Sequence, residues 1–178
     1  MFTLVSGGAA SGKSEYAESL VLSCPSEMRY YIATMMPFDD ECRARIAKHR
    51  AMRAGKGFET VECPLKLGFV GLPKRGTVLL ECLGNLAANE LYAPDGAGDE
   101  ALTAIVSGIE SLLAQYRDLV VVTNDVFSGG NCYADDTDRY LRLLAAANRA
   151  LAQRADAVCE VVCGLPYYHK GGGNLGRF

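Results

Sequence analysis

The sequence predicts an α/β protein with a mostly parallel β-sheet that is covered by helices on both faces. Short apolar segments alternate along the chain with longer amphipathic segments, which is the pattern of parallel strands joined by crossover helices. The first apolar segment, Phe2–Val5, runs directly into a glycine-rich loop at 7–14. A length of 178 residues with 49% hydrophobic residues suits one domain with a sizeable core. We therefore predict a single domain over residues 1–170, followed by a flexible tail at 171–178.

The elements follow from apolar runs, helical spacing and breaker residues. The predicted strands are Phe2–Val5, Arg29–Thr34, Phe58–Glu62, Thr77–Glu81, Leu119–Asn124 and, as the last strand, Ala157–Val162. The predicted helices cover Glu15–Leu22, Asp39 or Asp40 to Arg53, Leu83–Tyr92, about Asp99 to Gln115, and Asp136–Arg154. Loops are expected at 93–99 and 127–133, and the pattern leaves 64–73 without an assignment.

The glycine-rich loop is the most specific signal in the chain. Its sequence, Gly7-Gly8-Ala9-Ala10-Ser11-Gly12-Lys13-Ser14, matches G-x-x-x-x-G-K-[ST] in full, between a predicted strand and a predicted helix. The glycines allow backbone N–H groups to surround phosphate oxygens, and the helix N-terminus adds the positive end of its dipole. In such loops the lysine reaches the β- and γ-phosphates, and the hydroxyl that follows it binds Mg²⁺. The sequence therefore predicts a P-loop NTPase-like fold that binds a nucleoside triphosphate.

Composition and charge exclude several other classes of protein. The net charge is −3 and no run of basic residues stands out, so we expect a small-molecule substrate and no nucleic-acid partner. The seven cysteines form no C-x-x-C pair, which argues against a zinc site or a disulfide framework. No apolar run reaches the ~18 residues of a membrane span, and no signal peptide precedes the first strand. We expect a cytoplasmic protein with reduced thiols.

Three predicted strands end in polar residues, at Thr34, at Glu81 and at Thr123–Asp125. Ligands of open parallel sheets bind beyond these carboxyl ends. Glu81 follows four apolar positions, where a carboxylate can hold Mg²⁺ or accept a proton from an attacking hydroxyl. The alternative is that it caps the helix that starts near Leu83. The asparagine and aspartate at 124 and 125 are equally consistent with substrate positioning and with a turn.

One histidine lies on a strongly basic helix. His49 is one of only two histidines, and the other, His169, lies beside the glycine-rich tail and receives no role. The cations on the helix of His49 are Arg45, Lys48, Arg50 and Arg53. They could hold a triphosphate while the imidazole acts as a nucleophile. From composition alone, a solvated basic face with an incidental histidine is the stronger interpretation.

Taken together, these residues resemble the adenosylcobinamide kinase/adenosylcobinamide-phosphate guanylyltransferase family of the coenzyme B12 pathway. The matching segments extend over nearly the whole chain and include Gly7–Ser14, Tyr31–Thr34, Arg45-Ile46, His49-Arg50, Thr60-x-Glu62, Leu79–Cys82 and Val122–Val126. Many kinases share the phosphate loop. Its combination with the Arg-Ile-x-x-His-Arg helix is much more specific.

The resemblance implies a bifunctional enzyme. Such an enzyme phosphorylates the aminopropanol hydroxyl of adenosylcobinamide with ATP or GTP, and then moves GMP from GTP onto that phosphate with release of pyrophosphate. The GMP passes through a phosphoramidate on a histidine, which matches His49 here and reverses the preference stated above. Lys13 and Glu81 are the other implied catalytic residues, and Ser14 with Glu81 is the implied Mg²⁺ site. The implied nucleotide-binding residues are Gly7, Gly8, Ala9, Ala10, Ser11, Gly12, Lys13, Ser14, Thr34, Arg45, Lys48, Arg50, Glu62 and Glu81. The resemblance also implies that the protein is a homotrimer.

The chain also departs from the family pattern. Ala10 stands where the family has arginine, Asp125 where it has glutamate, and Phe58 where it has tryptophan. Further departures fall at Phe127, Cys132 and Leu141-Arg142. Two other functions therefore stay open. One is a phosphate-loop kinase of another small-molecule alcohol, which has no use for His49, and the other is a non-catalytic nucleotide-binding protein.

Overall fold

The computed structural model describes residues 1–126 and 135–172, apart from the side chains of Arg45, Lys48, Met52 and Asp135. The described strands are β1 (Phe2–Ser6), β2 (Arg29–Ala33), β3 (Phe58–Glu62), β4 (Thr77–Glu81), β5 (Asp118–Val122), β6 (Ala157–Val162) and β7 (Leu165–Lys170). The described helices are α1 (Lys13–Ser23), α2 (Asp40–Arg53), α3 (Leu83–Tyr92), α4 (Ala101–Gln115) and α5 (Asp135–Arg154). Two short 3₁₀ turns lie at Leu67–Phe69 and Gly98–Glu100. The predicted loop at 127–133 and positions 173–178 of the predicted flexible tail lie outside the described residues.

The described strands form one sheet in the order β3-β2-β4-β5-β1-β6-β7. Every neighbouring pair from β3 to β6 is parallel, and β7 alone pairs in the antiparallel direction, with β6. The predicted α/β fold with a mostly parallel sheet is confirmed. The prediction that Ala157–Val162 is the last strand is wrong, because β7 follows after a two-residue turn. The sequence of Leu165–Lys170 does not predict a strand, because it contains a proline and shows neither an apolar run nor alternation. In the structure this strand is almost entirely exposed.

Alternate residues of the central strands pack on opposite faces of the sheet. Leu80 and Val121 lie in a core formed with α3, α4 and α5, whereas Leu79 and Val122 lie in a smaller core formed with α1. Helices therefore cover both faces, as the sequence predicts. None of the helices within 1–126 and 135–172 has the length and apolar character needed to cross a bilayer.

Helix α2 differs from the other helices because it is mostly exposed. Asp39 caps its start, accepting a hydrogen bond of 2.6 Å from the backbone N–H of Cys42, and this bond lowers the pKa of the Asp39 carboxyl. Of the side chains described on α2, only Arg53 is buried. Ile46 and His49 are half-buried on the same side of the helix. This side of α2 faces the interior of the molecule near the carboxyl ends of the strands.

We expect Leu80→Ala to destabilise the protein strongly. Leu80 is 0% exposed in the centre of β4 and immediately precedes Glu81, so truncation leaves a cavity and should lower the free energy of unfolding by about 2–5 kcal/mol. The control is Phe69→Ala, at an apolar side chain that is 89% exposed, and its effect should stay within about 0.5 kcal/mol. Urea unfolding measures both values. Equal effects of the two substitutions would contradict the assignment of β4 to the core.

Candidate active site

The phosphate loop connects the end of β1 to the start of α1. Gly12 precedes the helix at φ +88°, in the left-handed region, and no side chain caps the first N–H groups of α1. A Cβ on Gly7 would lie 2.5 Å from Ser11 Oγ and 2.7 Å from the carbonyl oxygen of Val161, so only glycine fits there. The helix N-terminus is therefore available to an anionic ligand.

Backbone hydrogen bonds from two other parts of the sheet hold the loop. The N–H of Asp125, beyond the end of β5, donates to the carbonyl of Gly7 at 3.0 Å. The N–H of Gly164, in the turn between β6 and β7, donates to the carbonyl of Ser11 at 2.8 Å. Lys13 Nζ lies within the loop and donates to the carbonyl of Gly8 at 3.1 Å. These contacts use carbonyl groups of the loop, and the last one holds the lysine ammonium against the loop.

Glu81 faces the phosphate loop. Ser14 Oγ donates to Glu81 Oε1, and the Tyr31 hydroxyl donates to Glu81 Oε2 at 3.1 Å. Burial, and then the negative charge of Glu81, raises the pKa of Tyr31, so this hydroxyl stays a donor. Helix α3 begins after Cys82 without a side-chain cap, so the structure does not support the alternative role of Glu81 as a capping residue.

The oxygens of Ser14 and Glu81 lie together at a position that fits a hard divalent cation, which prefers oxygen ligands. Within the part of the chain that the structure describes, no group of three or more His, Cys, Asp or Glu side chains could hold a metal. A Mg²⁺ ion at this position would therefore complete its coordination with phosphate oxygens and water, which is how Mg²⁺ commonly binds at nucleotide sites.

A single cavity of about 690 Å³ joins the phosphate loop to helix α2. Residues 9–14 and Glu81 line one side, and His49 and Arg53 line another. The volume lies in the range of small-molecule sites. The structure thus brings the two most informative sequence signals, the loop and the histidine, to the same cavity.

Of the other predicted residues, Glu62 lines this cavity, whereas Thr34 and Arg50 are not among its lining residues. Glu62 Oε1 accepts a hydrogen bond of 2.6 Å from Arg50 Nη2, an ion pair at the partly exposed rim. Thr34 is fully buried, and its hydroxyl oxygen exchanges two hydrogen bonds of 2.8 Å with the backbone of Cys82. A direct contact of Thr34 or Arg50 with a nucleotide stays a prediction. The side chains of Arg45 and Lys48 lie outside the described part of the structure.

Tyr31 and Asn85 also line the cavity, although the sequence pattern gives neither of them a site role. Arg53, one of the helix cations that could hold a triphosphate, lines it as well, four residues after His49 on the same face of α2. Asn85 lies in the first turn of α3, four positions after Glu81. This short separation from Glu81 is the feature of the sequence that indicates a place for Asn85 at the site.

This fold and this loop define the class of phosphate-loop nucleotide-binding proteins. The flagellar accessory protein FlaH from Methanocaldococcus jannaschii has a similar fold, with a TM-score of 0.51, 10% sequence identity and coverage of 99% of this chain and 81% of that one. At this identity the likeness shows the fold alone.

Sequence comparison defines the family. The family model described as cobinamide kinase / cobinamide phosphate guanyltransferase matches residues 3–168. The bifunctional adenosylcobalamin biosynthesis protein CobU of Salmonella typhimurium is 35% identical over 180 residues, with 93% of this chain and 97% of the relative covered. The corresponding protein CobP of Pseudomonas aeruginosa is 32% identical over 175 residues, with 96% and 98% covered. The chain belongs to this family of bifunctional kinase and guanylyltransferase enzymes, as the sequence predicts.

We expect Lys13→Ala and Ser14→Ala to remove nearly all nucleotide-dependent activity while the fold survives. Both side chains face the cavity, so the free energy of unfolding should change by less than about 1 kcal/mol. Lys74→Ala, at an exposed lysine away from the cavity, serves as the control and should keep full activity. Near-wild-type turnover in Lys13→Ala would contradict the assignment of the phosphate loop.

Proposed function

We propose that this chain carries out both reactions of its family within the one cavity. ATP or GTP phosphorylates the hydroxyl of adenosylcobinamide, and GMP then passes from GTP to the new phosphate through His49. The observation that carries this proposal is that His49 and the phosphate loop line the same cavity. A kinase of another alcohol would need the loop and Glu81 but would have no use for a histidine there.

For the kinase reaction, the free N–H groups at the start of α1 and the ammonium of Lys13 bind the phosphates of the nucleotide. Ser14 and Glu81 would hold Mg²⁺, which supplies neutralisation of phosphate charge when bound. Tyr31 fixes the orientation of the Glu81 carboxylate through its hydrogen bond to Oε2. In this arrangement the protein mainly positions groups and stabilises charge, which is the usual contribution to phosphoryl transfer.

For the guanylyl reaction, an imidazole nitrogen of His49 attacks the α-phosphorus of GTP. A phosphorus–nitrogen bond forms, and the bond from the same phosphorus to pyrophosphate breaks, so pyrophosphate leaves. An oxygen of the phosphorylated substrate then attacks this phosphorus, the phosphorus–nitrogen bond breaks, and His49 is restored. Attack in line with the leaving group requires the nucleotide to be held in a fixed position, which the phosphate loop can provide.

We expect His49→Ala to abolish GMP attachment and guanylyl transfer but to spare most of the kinase activity. Transfer of the γ-phosphate to a hydroxyl needs no protein nucleophile, only the loop, a carboxylate and the metal. The measurement is incubation with α-labelled and γ-labelled GTP, and the wild-type adduct should be acid-labile and base-stable, as expected of a phosphorus–nitrogen bond. His169→Ala is the matched control, because His169 is exposed, contacts Glu160 at 3.1 Å and lies outside the cavity.

Retention of α-label by His49→Ala would show that this residue does not carry the GMP. Phosphate transfer without any α-label on the wild-type protein would instead favour a kinase of another alcohol, and neither reaction would favour a non-catalytic nucleotide-binding protein.

We also propose that the protein is a cytoplasmic homotrimer. The apolar side chains at the β7 edge support self-association, since Leu165 is 73% exposed and Tyr167 64% exposed on an edge strand. The biosynthetic role in the names of the relatives supports the cytoplasm. Light scattering at micromolar concentration should give a mass three times that of the 19.1 kDa chain. A monomer under these conditions would contradict the trimer.

A further inference from the structure

Two asparagine side chains line the cavity on the side of Glu81. Asn85 lies in the first turn of α3, which follows β4 directly. Asn124 follows β5, two positions after Val122, and Val122 pairs with Glu81 in the sheet. A Cβ on Gly84 would lie 3.0 Å from Asn124 Nδ2, so the amide of Asn124 packs on the start of α3. The two amides therefore belong to one part of the cavity wall, at the carboxyl ends of β4 and β5.

Neither amide has a strong hydrogen-bond partner among the residues that the structure describes. Within these residues the side chain of Asn85 forms no hydrogen bond, and that of Asn124 donates only to Cys82 Sγ, at 3.8 Å. Burial raises the pKa of the Cys82 thiol, so this sulfur is an uncharged and weak acceptor. Asn89, one turn further along α3, is different, because its amide donates to two backbone carbonyls at 2.8 and 3.0 Å. Asn89 has a structural role, whereas Asn85 and Asn124 keep donors and acceptors for a ligand.

The conformation of Asn124 decides between the two roles that the sequence leaves open for it. Asparagine stabilises a turn by a left-handed backbone or by a hydrogen bond from its side chain to the nearby backbone. Asn124 does not have a positive φ, and its amide donates to no backbone group of the described chain. The structure therefore favours substrate positioning over a turn.

The surroundings of the two amides indicate an uncharged ligand group. The phosphate loop and α2 carry the basic side chains that line the described part of the cavity, which are Lys13, His49 and Arg53. The amides lie instead beside the carboxylate of Glu81, which repels phosphate. Amide side chains offer one acceptor and two donor hydrogens, which suit hydroxyl and carboxamide groups.

The order of groups in the kinase reaction indicates which reactant supplies this uncharged group. The γ-phosphate lies beside Lys13 and Ser14 at the loop, and the sugar and base of the nucleotide are at the other end of the triphosphate. The alcohol has to bring its hydroxyl close to the γ-phosphorus, opposite the leaving nucleoside diphosphate. The wall formed by Asn85 and Asn124 adjoins this position through Glu81.

We propose that Asn85 and Asn124 bind the alcohol that accepts the phosphate, by hydrogen bonds to its hydroxyl and to the uncharged polar atoms next to it. The inference rests on the proposed function, because it concerns the acceptor of the kinase reaction. The cavity then has separate walls for its two reactants, with the loop holding the nucleotide and the amides holding the alcohol. Holding both reactants in a fixed relative position is a main part of catalysis in phosphoryl transfer.

The test compares Asn85→Leu and Asn124→Leu with Gln153→Leu in the full-length protein. Leucine is close to asparagine in size but forms no side-chain hydrogen bond, and Gln153 is an exposed amide on α5 that does not line the cavity. The KM for adenosylcobinamide is measured at saturating GTP, and the KM for GTP at saturating adenosylcobinamide, with circular dichroism as the check of folding. Both asparagine variants should raise the KM for adenosylcobinamide roughly fivefold or more and keep the KM for GTP within about twofold of wild type. Gln153→Leu should change neither value.

A KM for adenosylcobinamide within about twofold of wild type in either folded variant would overturn the inference. Equal rises of both KM values would overturn it as well, because they would assign the amides to the nucleotide or to packing. Where a leucine variant does not fold, the alanine variant at the same position replaces it, and failure of that variant too would make the residue structural. Wild-type protein that does not phosphorylate adenosylcobinamide would contradict the proposed function and the inference with it, whereas wild-type turnover with unchanged KM values in the variants would contradict the inference alone.

Discussion

The site depends on backbone hydrogen bonds that support the phosphate loop from outside. A loop that offers its N–H groups to phosphate cannot use the same groups to stabilise itself. Its carbonyls are held instead by the N–H of Asp125 after β5 and the N–H of Gly164 after β6. The turn that contains Gly164 also packs closely against the loop, because a Cβ on Gly12 would lie only 3.1 Å from the Cα of Gly164. The shape of the loop is therefore a property of three adjacent strands.

Local sequence pattern could predict the loop, six of the strands and the position of Glu81 at the end of β4. It did not single out His49, which only the resemblance to the family did, and the structure places this histidine at the cavity of the loop. The pattern missed β7, because Leu165–Lys170 becomes a strand by pairing with β6 and not by apolar pattern. One local signal was available, since Cys163 and Gly164 form a two-residue turn at φ +51° and +79°, and glycine in such a turn is typical of a hairpin. The missed strand matters for the site because its turn supplies the N–H that holds Ser11.

The role of Tyr31 could not be predicted for a different reason. Tyr30 and Tyr31 are adjacent in a buried strand, so their side chains point to opposite faces of the sheet, and a continuous apolar run does not reveal which face each one takes. In the structure Tyr30 packs in the larger core, with its ring 6.4 Å from that of Tyr116. Tyr31 lies on the other face, between Glu81 and Arg53. Only the three-dimensional arrangement separates a core tyrosine from a tyrosine of the site.

Tyr31 connects the two halves of the cavity. One continuous series of contacts runs from Ser14 through Glu81 and Tyr31 to Arg53, and it joins the start of α1 to the end of α2. Ala10, where the resemblance leads us to expect an arginine, lies on an exposed, left-handed part of the loop and adds no positive charge. The basic side chains that line the cavity within the described residues are accordingly Lys13, on the loop, and His49 and Arg53, on α2. Because Tyr31 contacts both Glu81 and Arg53, the position of the carboxylate beside the loop and the position of the cation beside the histidine are set by the same side chain.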